Sequence, residues 1–165
     1  MSKKIYIAGF DVFETDSIEI GKKYVKLCQD YGFIGLYPLD NEVDFNQEKR
    51  KIASDIFEAN RKMIEEADIV VANLNSFRGY EPDSGTVWEC GYATGLGKKV
   101  YGYMEDCSDY IDRFSKNETS VKENYTLDKD GLIIEDFNHP INLMIACSVD
   151  GIIEGGFEDV LKAIK

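Results

Sequence analysis

Two carboxylates six residues apart, Asp83 and Glu89, stand in the stretch Phe77-Arg78-Gly79-Tyr80-Glu81-Pro82-Asp83-Ser84-Gly85-Thr86-Val87-Trp88-Glu89. Val87, Trp88, Tyr92 and Leu96 frame Glu89 with bulk. A carboxyl desolvated among such side chains holds its proton more tightly and becomes a candidate acid, base or nucleophile. The plainer alternative is a capped helix with Glu89 on a solvated face, the usual situation of a carboxylate.

The elements around the pair decide between these readings. The apolar run Asp68-Ile69-Val70-Val71-Ala72-Asn73-Leu74 precedes the stretch, and Lys99-Val100-Tyr101-Gly102-Tyr103 follows it, which gives strand, loop, helix, strand. Pro82 cannot sit inside a helix, so the helix should start near Ser84, capped by Asp83 or Ser84. Glu89 then falls one to two turns in, near the carboxyl edge of a strand, where open α/β sheets bind their ligands. Gly85, Gly91 and Gly95 are poor helix formers and call for another reason, such as close approach of a ligand or neighbouring element.

Taken from the amino terminus, Lys4 to Gly9 reads as a first buried strand. The loop after it, Gly9-Phe10-Asp11-Val12-Phe13, lacks G-x-G-x-x-G and G-x-x-x-x-G-K, so dinucleotide and P-loop readings fail there. It is acidic and aromatic, suited to a neutral ring, and Phe13 reads as core. Ser17 to Tyr31 forms a helix stopped by Gly32, and Phe33 to Tyr37 a second strand. The polar segment Asp40 to Lys51 is long enough for a flexible loop over the site. Ile52 to Ala67 is a helix whose Asn60 either meets a cavity or marks the edge of the apolar stripe. Glu105 to Asp136 is acidic and weakly periodic, with a short helix near Tyr110 to Phe114, and reads as an insertion. Pro140 to Cys147 is a helix with Pro in its first turn. Asp150 to Gly156 is a last strand, and Phe157 to Lys165 a terminal helix.

Five strands alternating with helices give one α/β domain over residues 1–165: a doubly wound five-stranded parallel sheet, flavodoxin-like, order 2-1-3-4-5, in three α/β/α layers. Nineteen basic against thirty-one acidic side chains leave a net charge of −12, which repels nucleic acid and anionic membranes and favours a neutral small molecule. Cys28, Cys90, Cys107 and Cys147 show no C-x-x-C pair and have only His139 as an imidazole companion, so no metal site is indicated and buried thiols in a reducing cytosol are expected. Met1-Ser2-Lys3-Lys4 leads straight into a strand, without the apolar run of a secretory signal. Nothing approaches the roughly eighteen apolar residues of a membrane span.

Beyond these physical readings, the chain resembles the nucleoside 2-deoxyribosyltransferase family. The resemblance rests on Ile5-Tyr6-Ile7-Ala8-Gly9-Phe10, on Asn60 eight residues before Asp68, on Phe77-Arg78-Gly79 with Glu81-Pro82-Asp83-Ser84-Gly85-Thr86, on Glu89-x-Gly91-Tyr92-Ala93, and on Pro140-Ile141-Asn142-Leu143-Met144. These follow in order along nearly the whole chain, with 105–136 lacking a clear counterpart. The resemblance implies an enzyme that moves 2-deoxyribose between purine or pyrimidine bases through a covalent glycosyl-enzyme, taking 2'-deoxynucleosides and free nucleobases and needing no cofactor or metal. By position, Glu89 is the nucleophile, Tyr6 orients it and crowds the 2-position, and Asp83 binds and helps protonate the base. Gly9, Phe10, Asn60, Phe77, Gly85 and Trp88 would contact substrate. Asn142, from a neighbouring subunit of a homo-oligomer, would hold the 5-hydroxyl, with Met144 packing nearby. Many members carry Asp where this chain has Asn60, and Asn is no general acid; Asp83, or a water between Asn60 and Asp83, would then serve. The rival readings are a nucleoside hydrolase of the same fold and a non-catalytic nucleoside-binding module. Phosphate-bearing substrates rank lower, because Gly9-Phe10-Asp11-Val12 offers no cation.

Overall fold

Strands buried on both faces should be apolar without alternation, and two segments meet that description. They are β1 (Lys4–Ala8) and β3 (Ile69–Asn73), the latter buried at every position. The computed structural model describes residues 2–38 and 43–165. The other strands of the main sheet are β2 (Ile34–Leu36), β4 (Lys99–Met104) and β7 (Gly151–Glu154). All four pairings are parallel and the order is β2-β1-β3-β4-β7, which in chain order is the expected 2-1-3-4-5.

Helices cover both faces. On one side, Tyr6, Ala8, Val70, Ala72 and Leu74 pack with Ile64 of α2 (Lys49–Glu66) and with Cys90 and Ala93 of α3 (Ser84–Gly95). On the other, Ile5, Ile7, Val71 and Tyr103 pack with Cys28 of α1 (Ser17–Asp30) and with Phe157, Val160 and Leu161 of α5 (Phe157–Ile164). Period-two alternation along β1 therefore sends Tyr6 toward α2 and α3. The stop of α1 is as expected: Gly32 takes φ +87°, open to a residue without Cβ.

Several expectations need correction. The helix expected from Ile52 begins at Lys49, its first turn closed by the Lys51 N–H donating to the Glu48 carbonyl at 2.9 Å. The loop expected over Asp40 to Lys51 thus ends at Glu48, and residues 40–42 lie outside those described. Pro140 is not in a first helical turn. The short α4 (Leu143–Ala146) starts after Asn142, whose side chain accepts from the Met144 N–H, and a side-chain cap fixes a helix start more firmly than an upstream Pro. Within 105–136 lies an antiparallel hairpin, β5 (Ser120–Lys122) with β6 (Tyr125–Leu127), besides a 3₁₀ turn at Tyr110–Arg113. No helix among the described residues is long and apolar enough to cross a membrane.

Candidate active site

The position of Glu89 follows from the start of α3. Pro82 is buried and ends the preceding loop, and Asp83 caps the helix: its Oδ2 accepts from the Thr86 N–H at 2.9 Å and from the Thr86 hydroxyl at 3.1 Å. From that start, Thr86, Cys90 and Ala93 form the buried stripe, and Glu89 lies beside it, turned toward the sheet. There it meets Tyr6, which is fully buried on β1 and whose hydroxyl donates to Glu89 Oε1 across 2.6 Å.

Burial sets the electrostatics. Loss of hydration pushes the Glu89 carboxyl up to about 7; the Tyr6 hydrogen bond opposes that rise, and the negative charge of Asp83 adds to it. Burial first, and then the Glu89 charge, hold the Tyr6 phenol far above its ordinary value. Tyr6 is therefore a permanent donor toward Glu89, and Glu89 changes charge near neutrality.

A cavity of about 330 Å³ opens on Glu89, lined also by Phe57, Asn60, Gly85 and Trp88. Asn60, for which the sequence allows either a cavity or the stripe edge, is a cavity residue. A Cβ at Gly85 would stand 3.0 Å from Asp83 Oδ2, so glycine leaves the capping carboxylate its place. Trp88 is 45 % exposed; it lies between Tyr92, stacked at 5.1 Å, and Phe57, tilted at 5.3 Å. Phe57 belongs to the wall although its place in the sequence marks it only as part of the apolar stripe. Its i, i+3 relation to Asn60 is the available signal.

The remaining residues fall in three places. Gly9 is in extended backbone where a Cβ would come within 2.8 Å of Asn73 Cβ and 2.5 Å of Asp11 Oδ2, so its lack of a side chain serves packing. Phe10 and Phe77 stack on one another at 5.1 Å, and Phe13 lies against Phe77 at 5.5 Å. Phe13 is 60 % exposed, so its expected place in the core is incorrect; the ring gains its contact from Phe77 at the surface. Phe10 lines a different cavity, of about 510 Å³, with Asp11, Tyr24 and Asn73. Asp11 accepts there from the Tyr24 hydroxyl at 3.1 Å and from Asn73 Nδ2 at 2.9 Å, joining the turn after β1 to the end of β3, and no sequence pattern points to that pair.

Asn142 and Met144 are not in the wall of the Glu89 cavity. Met144, 72 % exposed, borders a separate apolar groove with Val87, Cys90, Gly91, Thr94 and Gly95 of α3. A Cβ at Gly91 or Gly95 would meet nothing within 4 Å, so among the described residues no neighbouring element makes the close approach expected at these glycines. All four cysteines are unbridged; Cys28 and Cys90 are buried as expected, whereas Cys147 is exposed. No group of three or more His, Cys, Asp or Glu among the described residues is arranged to hold a metal ion.

Comparison with known proteins gives a consistent result. The family model described as nucleoside 2-deoxyribosyltransferase matches residues 5–144. A 2-deoxyribosyltransferase from Leishmania mexicana is similar at 29 % identity and TM-score 0.74, over 98 % of this chain and 97 % of that one. The 2-deoxyribosyltransferase of Bacillus psychrosaccharolyticus, 24 % identical with TM-score 0.60 over 96 % and 90 % of the two chains, shares the fold. An uncharacterized protein of Schizosaccharomyces pombe is 28 % identical over 98 % of this chain and 82 % of its own length.

Proposed function

The chain belongs to the nucleoside 2-deoxyribosyltransferase family, a family of glycosyltransferases, and from that premise we propose that it exchanges the 2-deoxyribose of a 2'-deoxynucleoside between purine or pyrimidine bases, through a covalent glycosyl–Glu89 intermediate and with net retention. The observation that carries this reading is the Tyr6–Glu89 pair. One carboxylate oxygen is held by a donor, the other is free to attack, and the group ionises near neutral pH.

In the first step Glu89 forms a bond to the anomeric carbon as the carbon–nitrogen bond to the base breaks and the bonding pair leaves with the base. A sugar without a 2-hydroxyl reaches the oxocarbenium-like transition state readily, so one carboxylate and protonation of the base suffice, as in retaining glycosidases. Asp83, or a water held between it and Asn60, supplies that proton, because the Asn60 amide has none to give. In the second step a ring nitrogen of an incoming base attacks the same carbon as the ester to Glu89 breaks, its proton returns to the group that gave one in the first step, and two inversions give retention. The Tyr6 hydroxyl, committed to Glu89, keeps the nucleophile aimed and crowds the 2-position. Trp88 and Phe57 offer faces for a base.

Asn142 and Met144 serve a neighbouring copy. That neither lines the Glu89 cavity, that Met144 is exposed, and that an apolar groove runs along Gly91 and Gly95 support a homo-oligomer in which one subunit's Asn142 holds the 5-hydroxyl bound in another. One domain carries the activity, with 105–136 as an insertion. Nucleoside salvage is the role such an exchange serves, and a cytoplasmic setting accords with four unbridged cysteines.

The intermediate is testable. After a brief incubation with 2'-deoxyinosine and no added acceptor, acid quench, proteolysis and mass spectrometry should find a deoxyribosyl group on the peptide containing Glu89. A modification on another residue, or none during measurable turnover, contradicts the covalent step.

A further inference from the structure

Asn142 has both ends of its side-chain amide committed within its own chain. Oδ1 accepts from the Met144 N–H at 3.0 Å, and Nδ2 donates to Glu135 Oε1 at 2.8 Å. The other oxygen of that carboxylate, Oε2, accepts from the Leu143 N–H at 2.8 Å. Taking Asn142 as the residue that holds the 5-hydroxyl, we propose that Glu135 is a positioning residue which fixes the Asn142 amide in the one orientation that serves a sugar hydroxyl.

The terminal torsion of an Asn side chain is broad and roughly two-fold, so the amide alone has little preference between its two faces. Glu135 removes that freedom. A flipped amide would set its carbonyl against the carboxylate and its NH2 against the Met144 N–H, losing two hydrogen bonds and facing like against like. In the observed orientation one Nδ2 hydrogen and one Oδ1 lone pair remain unspent. A hydroxyl both donates and accepts, so this pair of valences suits it.

Glu135 is itself held from both sides. Ile134 before it is buried, and its N–H donates to the Thr126 carbonyl at 2.9 Å, tying the segment to β6. Ile141, just ahead of Asn142, is buried as well. The carboxylate and the amide it orients are therefore fixed to anchored backbone, and the stretch without a counterpart in the family resemblance supports the sugar-binding residue.

The test compares 2'-deoxyinosine with 2',5'-dideoxyinosine, which lacks only the 5-hydroxyl, by the ratio of their kcat/KM values. Glu135→Ala should lower that ratio about threefold to tenfold. The loss should appear in KM for 2'-deoxyinosine and little in either parameter for the dideoxy donor. Glu135→Gln should fall between, since its NH2 replaces one of the two acceptor oxygens and faces either the Asn142 amide or the Leu143 N–H donor to donor, and it carries the test if Glu135→Ala fails to fold. If Asn142→Ala collapses the ratio and both Glu135 variants leave it unchanged, or lower both donors equally, the positioning role is overturned while the reading of Asn142 stands. If Asn142→Ala itself leaves the ratio unchanged, the reading of Asn142 fails and the role of Glu135 with it.

Discussion

The hydroxyl of Tyr6 donates to Oε1 of Glu89 across 2.6 Å, joining residues 83 positions apart in sequence. A hydrogen bond to a charged acceptor is worth about 1.5–3 kcal/mol, and this one both aims the carboxylate and lowers its proton affinity. Tyr6→Phe should reduce kcat/KM by roughly ten- to a hundredfold. It should also move the acid limb of the pH–rate profile to higher pH. An unchanged limb would separate Tyr6 from the ionisation of Glu89.

With a carboxyl at about 7 acting as nucleophile, kcat/KM should rise with pH through an apparent pKa near that value and then level. Stability should show the opposite trend. The folded state binds the Glu89 proton more tightly than the unfolded chain, whose carboxyl ionises near 4.5, so this group's contribution is full below about pH 4.5 and is lost as pH rises through about 7. Glu89→Gln should therefore be more stable than wild type at pH 8, by about 1–3 kcal/mol, with the difference closing toward pH 4.5. Thermal unfolding of both proteins across that range measures it.

Asp83 caps α3, and the proposed mechanism gives it a second duty that substitution can separate from the first. Asp83→Ala removes the cap on Thr86 and should cost about 1 kcal/mol of stability. Asp83→Asn keeps an acceptor for the Thr86 N–H but has no proton to give the base, so the melting temperature should stay close to wild type while turnover falls at least tenfold. Equal losses of turnover and stability in both variants would reduce Asp83 to a cap.

Much of this geometry is legible in the residues alone. Pro82 and Asp83 mark a helix start, and counting from it places Glu89; the unbroken apolar run at β3 marks a central strand. The hairpin within 105–136 is not legible, because each strand has three residues and Val121 points its side chain outward at 77 % exposure, leaving no alternation to detect. Phe13 passes for core because an apolar pattern cannot tell a core ring from one that stacks on another at the surface. The pairing of Glu135 with Asn142 spans seven residues of irregular chain, for which no period exists.

The proposed homo-oligomer places the outer face of α3 in its interface. Gly91→Leu sets its Cβ where nothing among the described residues lies within 4 Å, directs the rest of the side chain into the groove beside Met144, and replaces a poor helix former. The melting temperature of the dissociated subunit should not fall. Sedimentation should show smaller species than wild type, and KM for 2'-deoxyinosine should rise as the neighbour's Asn142 is withdrawn. An unaltered assembly would place the interface elsewhere.

The central claim is transfer through Glu89, and product analysis meets it directly. The protein is incubated with 2'-deoxyinosine and either cytosine or adenine, all products are separated by chromatography, and Glu89→Ala is run beside it. The account predicts a new 2'-deoxynucleoside of the added base from the wild type and none from the variant. Free deoxyribose and hypoxanthine alone, or equal product from both proteins, would contradict it.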